Sequence, residues 1–233
     1  MNHLHKPFFF ITLIFLMGIS GSAQTNRFAL GLEAGPNFTY IRGTDYATKY
    51  LQPSIGYSIS GIFQYNFNKN FASITRLGFA KKSSKSEGDA VDQSNNIIGK
   101  YTVYYNCYAK TAAISIRTYF FSTSRMRYFF DLGIYSDLMN TYNNEIILTI
   151  NGIAQPNQYD QSHYIISHLG IVGSIGLAYS LTSKIGLTVE LQNWFGLINY
   201  QTQYSNPITK QDKITTKPNS TGLTMGIYYQ FMR

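Results

Sequence analysis

The chain ends in TGLTMGIYYQFMR, where apolar and polar side chains alternate. The apolar positions are Leu223, Met225, Ile227, Tyr229 and Phe231. A period of two places successive side chains on opposite faces of an extended strand. We therefore predict that this segment is a β-strand with one apolar face.

Seven earlier stretches of the chain alternate in the same way. They cover residues 28–40, 55–67, 71–82, 104–120, 128–139, 164–179 and 185–195. The faces opposite their apolar rows are rich in Gly, Ser and Thr and carry few charges. A tilted strand needs about 9–11 residues to cross a bilayer, and each of the eight stretches reaches that length.

The connections between these stretches alternate in length. Residues 66–70, 121–125 and 181–184 form short turns, whereas residues 42–54, 85–100, 143–163 and 198–219 form long polar loops. Short turns on one side and long loops on the other are typical of outer-membrane barrels, with both termini on the periplasmic side. The dipeptide Asn151-Gly152 inside one long loop predicts a hairpin that carries strands five and six beyond the bilayer.

The fold predicted from this pattern is all-β, an eight-stranded antiparallel up-and-down transmembrane β-barrel. A soluble barrel such as a lipocalin is one alternative, but it would turn its apolar face inward and a charged face to water. The segment LGIVGSIGLAYSL is a second alternative, a membrane helix, but it is short and contains three glycines. The weakly charged polar faces favour the membrane barrel.

Composition agrees with a membrane barrel. Charged residues make up 13% of the chain, against about a quarter in ordinary globular proteins. A mean hydropathy of -0.13 is too low for a bundle of membrane helices. In a barrel only alternate residues of each strand have to be apolar, which accounts for both values.

The formal net charge of +8 is spread along the chain. Lys81, Lys82 and Lys85 form the densest basic group, and no nucleic-acid-binding motif accompanies it. We therefore expect no nucleic-acid partner. Cys107 is the single cysteine, which excludes an intrachain disulfide and a cysteine-based metal cluster.

The N-terminus has the layout of an export signal. Lys6 precedes the apolar run Phe8–Ile19, and Gly21 and Ala23 supply the small residues of a cleavage site. The apolar run is shorter than the ~20 residues of a membrane-spanning helix. We predict a cleaved signal peptide over residues 1–23, a barrel domain over residues 24–233, and a location in the cell outer membrane.

Several stretches resemble the PorT-like outer-membrane beta-barrel family of the Bacteroidetes. The first strand contains GLEAGPN at 31–37, which is similar to the family pattern G-x-x-x-G-x-N. The hairpin SGIFQYNF and FASITRLGF is also similar, as is the strand ISIRTYF with Arg117 near its periplasmic end. The resemblance covers nearly the whole chain after residue 24 and implies the same barrel fold.

The chain also departs from that family. Arg76 stands where members often carry Glu, and residues 111–113 replace a frequent Glu-x-Pro. The terminal aromatic, Phe231, is followed by two more residues. Some members of the family resemble components of type IX secretion, so the resemblance implies a role beside secretion proteins but no shared lumen chemistry.

Charged residues form two candidate sites, one assigned by strand parity and one by its position at the outer end of the third strand. The residues expected to face the lumen, where they would form a packed ionic network, are Glu33, Arg76, Arg117, Asp131, Asp137, His168 and Glu190. Buried charges have to pair, because an unpaired one costs several kcal/mol. Lys81, Lys82 and Lys85 are expected at the outer rim, where they would contact lipopolysaccharide phosphates.

The pattern predicts a non-enzymatic outer-membrane protein that serves as an anchor or interaction component. Its expected partners are outer-membrane lipids and other outer-membrane or secretion proteins. The alternative is a small channel or a lipid- or solute-binding barrel. A membrane-embedded enzyme is a third hypothesis, but no Ser, His and carboxylate constellation supports it. We assign no catalytic residue, cofactor or metal ligand.

Overall fold

The computed structural model describes residues 27–42, 49–123, 125–162, 164–204 and 217–231. The strands in these ranges are β1 (Phe28–Arg42), β2 (Gln52–Asn66), β3 (Phe71–Val91), β4 (Ile97–Ser122), β5 (Met126–Ile150), β6 (Ile153–Ala154), β7 (Gln158–Ser162), β8 (Tyr164–Ser180), β9 (Ile185–Tyr204) and β10 (Lys217–Phe231). β6 and β7 pair only with β5, as additions to the main sheet.

The other eight described strands form a closed antiparallel ring. β1 to β5 pair in chain order, followed by β8, β9 and β10, and β10 returns to β1. Each strand of the ring therefore lies beside its neighbours in sequence, and the first and last strands are adjacent. The predicted eight-stranded antiparallel barrel is confirmed.

The strands of the ring are strongly tilted. The tilt follows from the strand register. If each residue is followed to its partner on the next strand, the path from Lys110 on β4 passes Ala34 on β1 and Val189 on β9 and reaches Tyr128 on β5. The Tyr128 ring stacks on Phe120, which lies about ten residues after Lys110 on the same strand. One circuit of the ring thus ends about ten residues further along β4, and this displacement requires a strand tilt of about 35–45°. An eight-stranded barrel is just wide enough for its side chains to fill the interior.

The polarity of the barrel is the reverse of that in a soluble protein. Leu32, Leu77 and Met225 on the outside are 62–63% exposed, whereas Arg76 and Asp131 inside are buried. In water such an arrangement would be unfavourable, because apolar surface is expelled and buried charge is costly. In lipid it is favourable, and the closed sheet pairs its backbone groups internally. The apolar rows of the sequence therefore mark the lipid-facing side.

The lumen is filled in layers. An apolar cluster occupies the end at which β1 begins and β10 ends, and its members are Ile62, Ala72, Ile74, Tyr119, Phe129 and Ala178. A charged layer follows toward the outer end. Beyond it, Tyr135 and Val172 pack together with Trp194 against them. The charged groups are thus held between two apolar layers.

Two segments expected to be outer loops are largely strand. In the segment 85–100, β3 continues to Val91 and β4 begins at Ile97, so that only residues 92–96 connect them. The segment 143–163 contains the end of β5 together with β6 and β7. Both faces of a strand beyond the bilayer meet water, so a polar composition does not distinguish it from a loop.

The predicted Asn-Gly hairpin is confirmed. Asn151 and Gly152 both have positive φ, 50° and 79°, as the mirror-image two-residue turn of a hairpin requires. The turn brings Ile150 opposite Ile153. This turn forms the end of the long β5 arm.

Some predictions fall on other parts of the chain. The signal peptide predicted at residues 1–23 lies outside the described residues, as do 43–48 and 205–216 of the predicted outer loops. Within the described ranges, no helix is long and apolar enough to cross a membrane.

Candidate functional site

Five charged side chains from five strands meet inside the barrel. Glu33 lies on β1, Arg76 on β3, Arg117 on β4, Asp131 on β5 and Glu190 on β9. All five are buried. Each occupies a polar position of an alternating strand, and the tilt of the ring brings these positions to one level. We call these five residues the lumen network.

Arg76 is the centre of the lumen network. Its Nε donates to Glu33 Oε1 at 3.1 Å, and its Nη2 donates to Asp131 Oδ2 at 2.9 Å. The same Nη2 lies 2.7 Å from Glu190 Oε2, and Nη1 donates to Ser115 Oγ at 3.1 Å. One guanidinium therefore binds three carboxylates, a geometry that a lysine ammonium could not reproduce with one flexible point charge.

Arg117 completes the lumen network from the neighbouring strand. It makes two parallel contacts of 2.8 Å with the two carboxylate oxygens of Asp131. Its Nη2 also donates to Glu190 Oε1 at 2.6 Å. The guanidinium lies 3.5 Å from the centre of the Phe129 ring. Phe129, from the apolar cluster next to the charged layer, thus fixes the plane of the guanidinium, and the carboxylates fix the directions of its N–H groups.

Uncharged side chains donate further hydrogen bonds to the carboxylates of the lumen network. Gln192 donates to Glu33 Oε1 at 3.3 Å and to Glu190 Oε2 at 3.2 Å, and Ser174 donates to Glu190 at 3.3 Å. Trp194 Nε1 donates to Gln192 Oε1 at 3.1 Å, which fixes the orientation of that amide. The arrangement is a cross-linked structural core, since every charge has several partners.

The other two residues predicted for the network lie at a separate level. Asp137 is further along β5 toward the outer end, and its Oδ2 pairs with Lys82 Nζ. His168 is opposite Asp137 in the β5–β8 register and is buried. It lines a cavity of about 10 Å³ with Cys107 and Met139. The structure thus brings together five of the seven predicted residues and places Asp137 and His168 elsewhere.

The prediction for Lys82 was wrong. Its side chain is 5% exposed and points into the lumen, where it lies 5.4 Å from the Tyr135 ring and pairs with Asp137. Neighbouring residues of a strand face opposite sides, so Lys81 and Lys82 could not both lie on the outer rim. Lys82 lies an even number of positions after Arg76 on the same strand, so the sequence already indicated that both side chains face the lumen.

Lys81 and Lys85 do lie on the outer face of β3, both half-buried. Lys85 Nζ donates to Glu87 Oε1 at 2.7 Å, and this hydrogen bond raises the pKa of the Lys85 ammonium above its ordinary value. Lys81 is opposite the outward-facing Tyr108 in the β3–β4 register. The outer rim thus carries two of the three predicted lysines.

A third outward lysine, Lys110, was missed by the sequence reasoning. It is exposed on β4 and lies opposite Phe79, two positions from the Lys81–Tyr108 pair. Its signal was a cation on the apolar face of the fourth strand, in the same row as Ala112 and Ile114. A cation within a lipid-facing row marks the level of the headgroups.

The described residues offer no metal centre. No group of three or more His, Cys, Asp or Glu side chains in these ranges is arranged to hold a metal ion. The chemistry that the lumen network supports is charge pairing within a sealed interior, because its arginines and carboxylates already bind each other.

Comparison with known proteins places the chain among outer-membrane barrels. A family model described as outer membrane protein beta-barrel domain matches residues 22–202. No curated protein matches the chain.

Solved structures similar to the chain include Neisserial surface protein A, at 12% identity and a TM-score of 0.43, covering 90% of this chain and 100% of that one. OprG from Pseudomonas aeruginosa is 12% identical with a TM-score of 0.41, covering 91% and 100%. Ail of Yersinia pestis, in complex with the heparin analogue sucrose octasulfate, is 8% identical with a TM-score of 0.38, covering 88% and 99%.

Proposed function

Because the chain belongs to the outer membrane protein beta-barrel domain family, we propose that it is a non-enzymatic outer-membrane protein that anchors an interaction surface outside the cell. The feature that supports this proposal is the unequal height of the strands. β1 and β10 contain 15 residues each, whereas β3, β4 and β5 contain 21, 26 and 25. Within the described residues, β3, β4 and β5 extend furthest and form a wall on one side of the ring.

The wall reaches well beyond the bilayer. A strand tilted as in barrels of this kind gains roughly 2.4 Å of height per residue. From Lys110 at headgroup level to Ile97 at the start of β4, the wall therefore rises by as much as ~30 Å. It is continuously paired, since β3 pairs with β4, β4 with β5, and β5 with β6 and β7. A paired wall of this height is a rigid platform for a partner.

The end of the wall carries apolar side chains. Val91, Ile97 and Ile153 are 53%, 67% and 67% exposed. Val91 is opposite Ile97, and the Asn151 N–H donates to Ile98 O at 2.8 Å, which joins the two turns. We call Val91, Ile97 and Ile153 the wall tip. Apolar surface held together in water is characteristic of a protein interaction site.

The filled lumen argues against a channel. The lumen network occupies the cross-section of a barrel that has room only for its own side chains. A small channel or solute-binding barrel remains the second candidate function, and conductance in a planar bilayer distinguishes the two.

A finer form of the proposal concerns the partner. The resemblance of GLEAGPN at 31–37 and of the following hairpin to the PorT-like family supports an accessory role in protein secretion. In that role the wall tip would contact an outer-membrane or secretion protein.

The proposal is tested by site-specific photo-crosslinking in native outer membranes. A photoreactive residue is placed at Ile97 or Ile153, with Glu87, exposed lower on the same wall, as the control position. We expect both tip positions, but not the control, to form an adduct with the same protein, identified by mass spectrometry. A photoreactive residue at Val91 should form the same adduct, and the double variant Ile97→Lys/Ile153→Lys should abolish it. Equal crosslinking at Glu87, or none at the tip, would overturn the proposal.

A further inference from the structure

The lipid-facing surface of the described barrel has an apolar groove. Two adjoining hollows of about 660 and 620 Å³ lie over β9, β10 and β1 to β5, and they share Leu32, Gly61 and Leu77. Their linings are mainly apolar, with Phe63 and Tyr229 in one and Ile59 in the other. Together they form a trough that crosses the strands, which we call the Gly61 groove.

Gly61 creates this groove. It lies between Ile59 and Phe63 in the outward-facing row of β2, and its neighbours in that row carry large side chains. A Cβ added to Gly61 would meet only Leu77 O, at 3.7 Å, so the space above this residue is open. At Gly78 on the adjacent strand, by contrast, an added Cβ would lie 2.2 Å from Ile59 O. The backbone therefore tolerates a side chain at Gly61, although the sequence supplies none.

The outer end of the groove is positively charged. Lys110 is part of its lining. Lys81 is the diagonal neighbour of Lys110, since Phe79 is opposite Lys110 and Lys81 is opposite Tyr108. Diagonal neighbours across two strands lie about 7–8 Å apart, within reach of long side chains. Among the ion pairs of the described residues, Lys85 has Glu87, but no carboxylate is paired with Lys81 or Lys110.

We propose that the Gly61 groove binds one phosphorylated glycolipid of the outer leaflet, of the lipid A type. An acyl chain lies in the groove over Gly61, and a phosphate lies between Lys81 and Lys110. The charge complements the ligand: two unpaired cations stand at the headgroup level and an apolar trough lies directly below them. The inference rests on the proposed orientation of the barrel, with its long strands outside the cell, but not on any partner at the wall tip.

Gly173 provides a matched control for the groove. It also faces outward, and an added Cβ there would meet only Asp131 O, at 3.8 Å. Its cross-strand neighbour is Asn193, which donates to Thr221 Oγ1 at 2.8 Å, and no lysine takes part. A leucine at Gly173 therefore adds the same bulk to the lipid-facing surface without filling the proposed site.

The test measures lipid bound to the full chain. The protein is purified in mild detergent, exposed to lipid A or to phosphatidylglycerol, and analysed by native mass spectrometry. Each variant is first shown to be folded by the heat-dependent shift of its electrophoretic mobility. Gly61→Leu should remove the bound lipid A, while Gly173→Leu should retain it as the natural protein does.

The lysines are tested in the same assay. Each basic residue near an anionic lipid surface contributes about 1 kcal/mol, so Lys81→Gln/Lys110→Gln should weaken lipid A retention by about tenfold or more. Lys100→Gln, exposed high on the wall, should have no effect. The proposal is overturned if Gly61→Leu binds lipid A normally, or if Gly173→Leu loses it equally. Equal retention of phosphatidylglycerol would also reject the assignment to an outer-leaflet glycolipid. These outcomes are independent of crosslinking at the wall tip.

Discussion

At the scale of single residues, the barrel is held together by charges where a soluble protein would use apolar side chains. Arg76 and Arg117 bind Glu33, Asp131 and Glu190 within one layer, away from both water and lipid. Removing one partner of a buried ion pair leaves an uncompensated charge, which is far more costly than the pair itself is stabilising. The predictions at this scale therefore concern the loss of single partners.

The first prediction concerns Arg76→Met. It would leave three buried carboxylates with one guanidinium and should lower the free energy of unfolding by about 3 to 5 kcal/mol. Arg76→Lys should recover only part of this loss, because Arg76 uses three different nitrogens for its contacts. Urea unfolding in lipid vesicles, followed by tryptophan fluorescence, measures both. Ser174→Ala, which removes one 3.3 Å hydrogen bond, is the control. If Arg76→Met were no worse than the control, the network would not stabilise the barrel.

A second prediction follows from the inward position of Lys82. Lys82→Met should destabilise the barrel strongly, since Asp137 would be buried without its cation. Adding Asp137→Asn should restore part of the lost stability, because the second change removes the unpaired charge. The same unfolding experiment applies to both variants. Lys81→Met serves as the control and should have little effect; equal losses for Lys81→Met and Lys82→Met would contradict the inward placement.

At the scale of strands and turns, close backbone contact is the main constraint. An added Cβ at Gly35 on β1 would lie only 1.9 Å from Leu223 O on β10, the pair of strands that joins the chain ends. Gly35 therefore permits the close approach at which the ring closes. Several other strand glycines are as crowded, for example Gly56 and Gly133, whereas Gly61 and Gly173 face open space.

The third prediction tests this closure. Gly35→Ala should reduce the folded fraction sharply, because the backbone of β10 would have to move away and break the β1–β10 ladder. Heat-dependent electrophoretic mobility after refolding into detergent micelles measures the folded fraction. Gly173→Ala, with its nearest contact at 3.8 Å, should refold normally. Normal refolding of Gly35→Ala would show that the strands are less closely packed than described.

The fourth prediction concerns the turn between β3 and β4. The backbone N–H groups of Asn96 and Ser94 donate to Asp92 Oδ1 at 2.9 and 2.8 Å. These bonds, chiefly those from Asn96, lower the pKa of the Asp92 carboxyl below its ordinary value of 3.8. A lowered pKa means that the stabilisation is present above the ordinary value and is lost as pH falls through the lowered one.

The Asn96 amide resonance should therefore titrate with a midpoint below pH 3.8, as measured by NMR in detergent micelles. In Asp92→Ala this titration should disappear. A midpoint at or above the ordinary value would show that the turn does not hold the carboxylate.

The strands of the ring could be predicted from the sequence because alternation directly records which face meets lipid. The same parity placed Glu33, Arg76 and Asp131 on the inside. The alternation gives the face on which a residue lies, but not the register between neighbouring strands. That register decides which inward charges meet. That is why Asp137 and His168 could not be separated from the lumen network beforehand. The Asn151-Gly152 turn predicted that β5 continues beyond the bilayer. The outer parts of β3 and β4 were missed, because strands with water on both faces carry no apolar alternation.

At the scale of the whole molecule, the filled lumen and the tall wall divide the protein into two parts. In the proposed function, the ring provides stability within the membrane and the wall provides a surface outside it. In this account the lumen is a structural core, and the interaction surface and the lipid groove lie on the outside. The central claim is that the interior is closed by its own charged side chains.

The most direct test of that claim is ion conductance of the natural protein in a planar lipid bilayer. Folded protein, verified by heat-dependent mobility, is inserted at several salt concentrations, with a general porin inserted by the same procedure as the positive control. We expect the protein to insert without discrete current steps, because the lumen network leaves no passage for hydrated ions. Reproducible current steps that scale with salt concentration would contradict it and would favour the small-channel function instead.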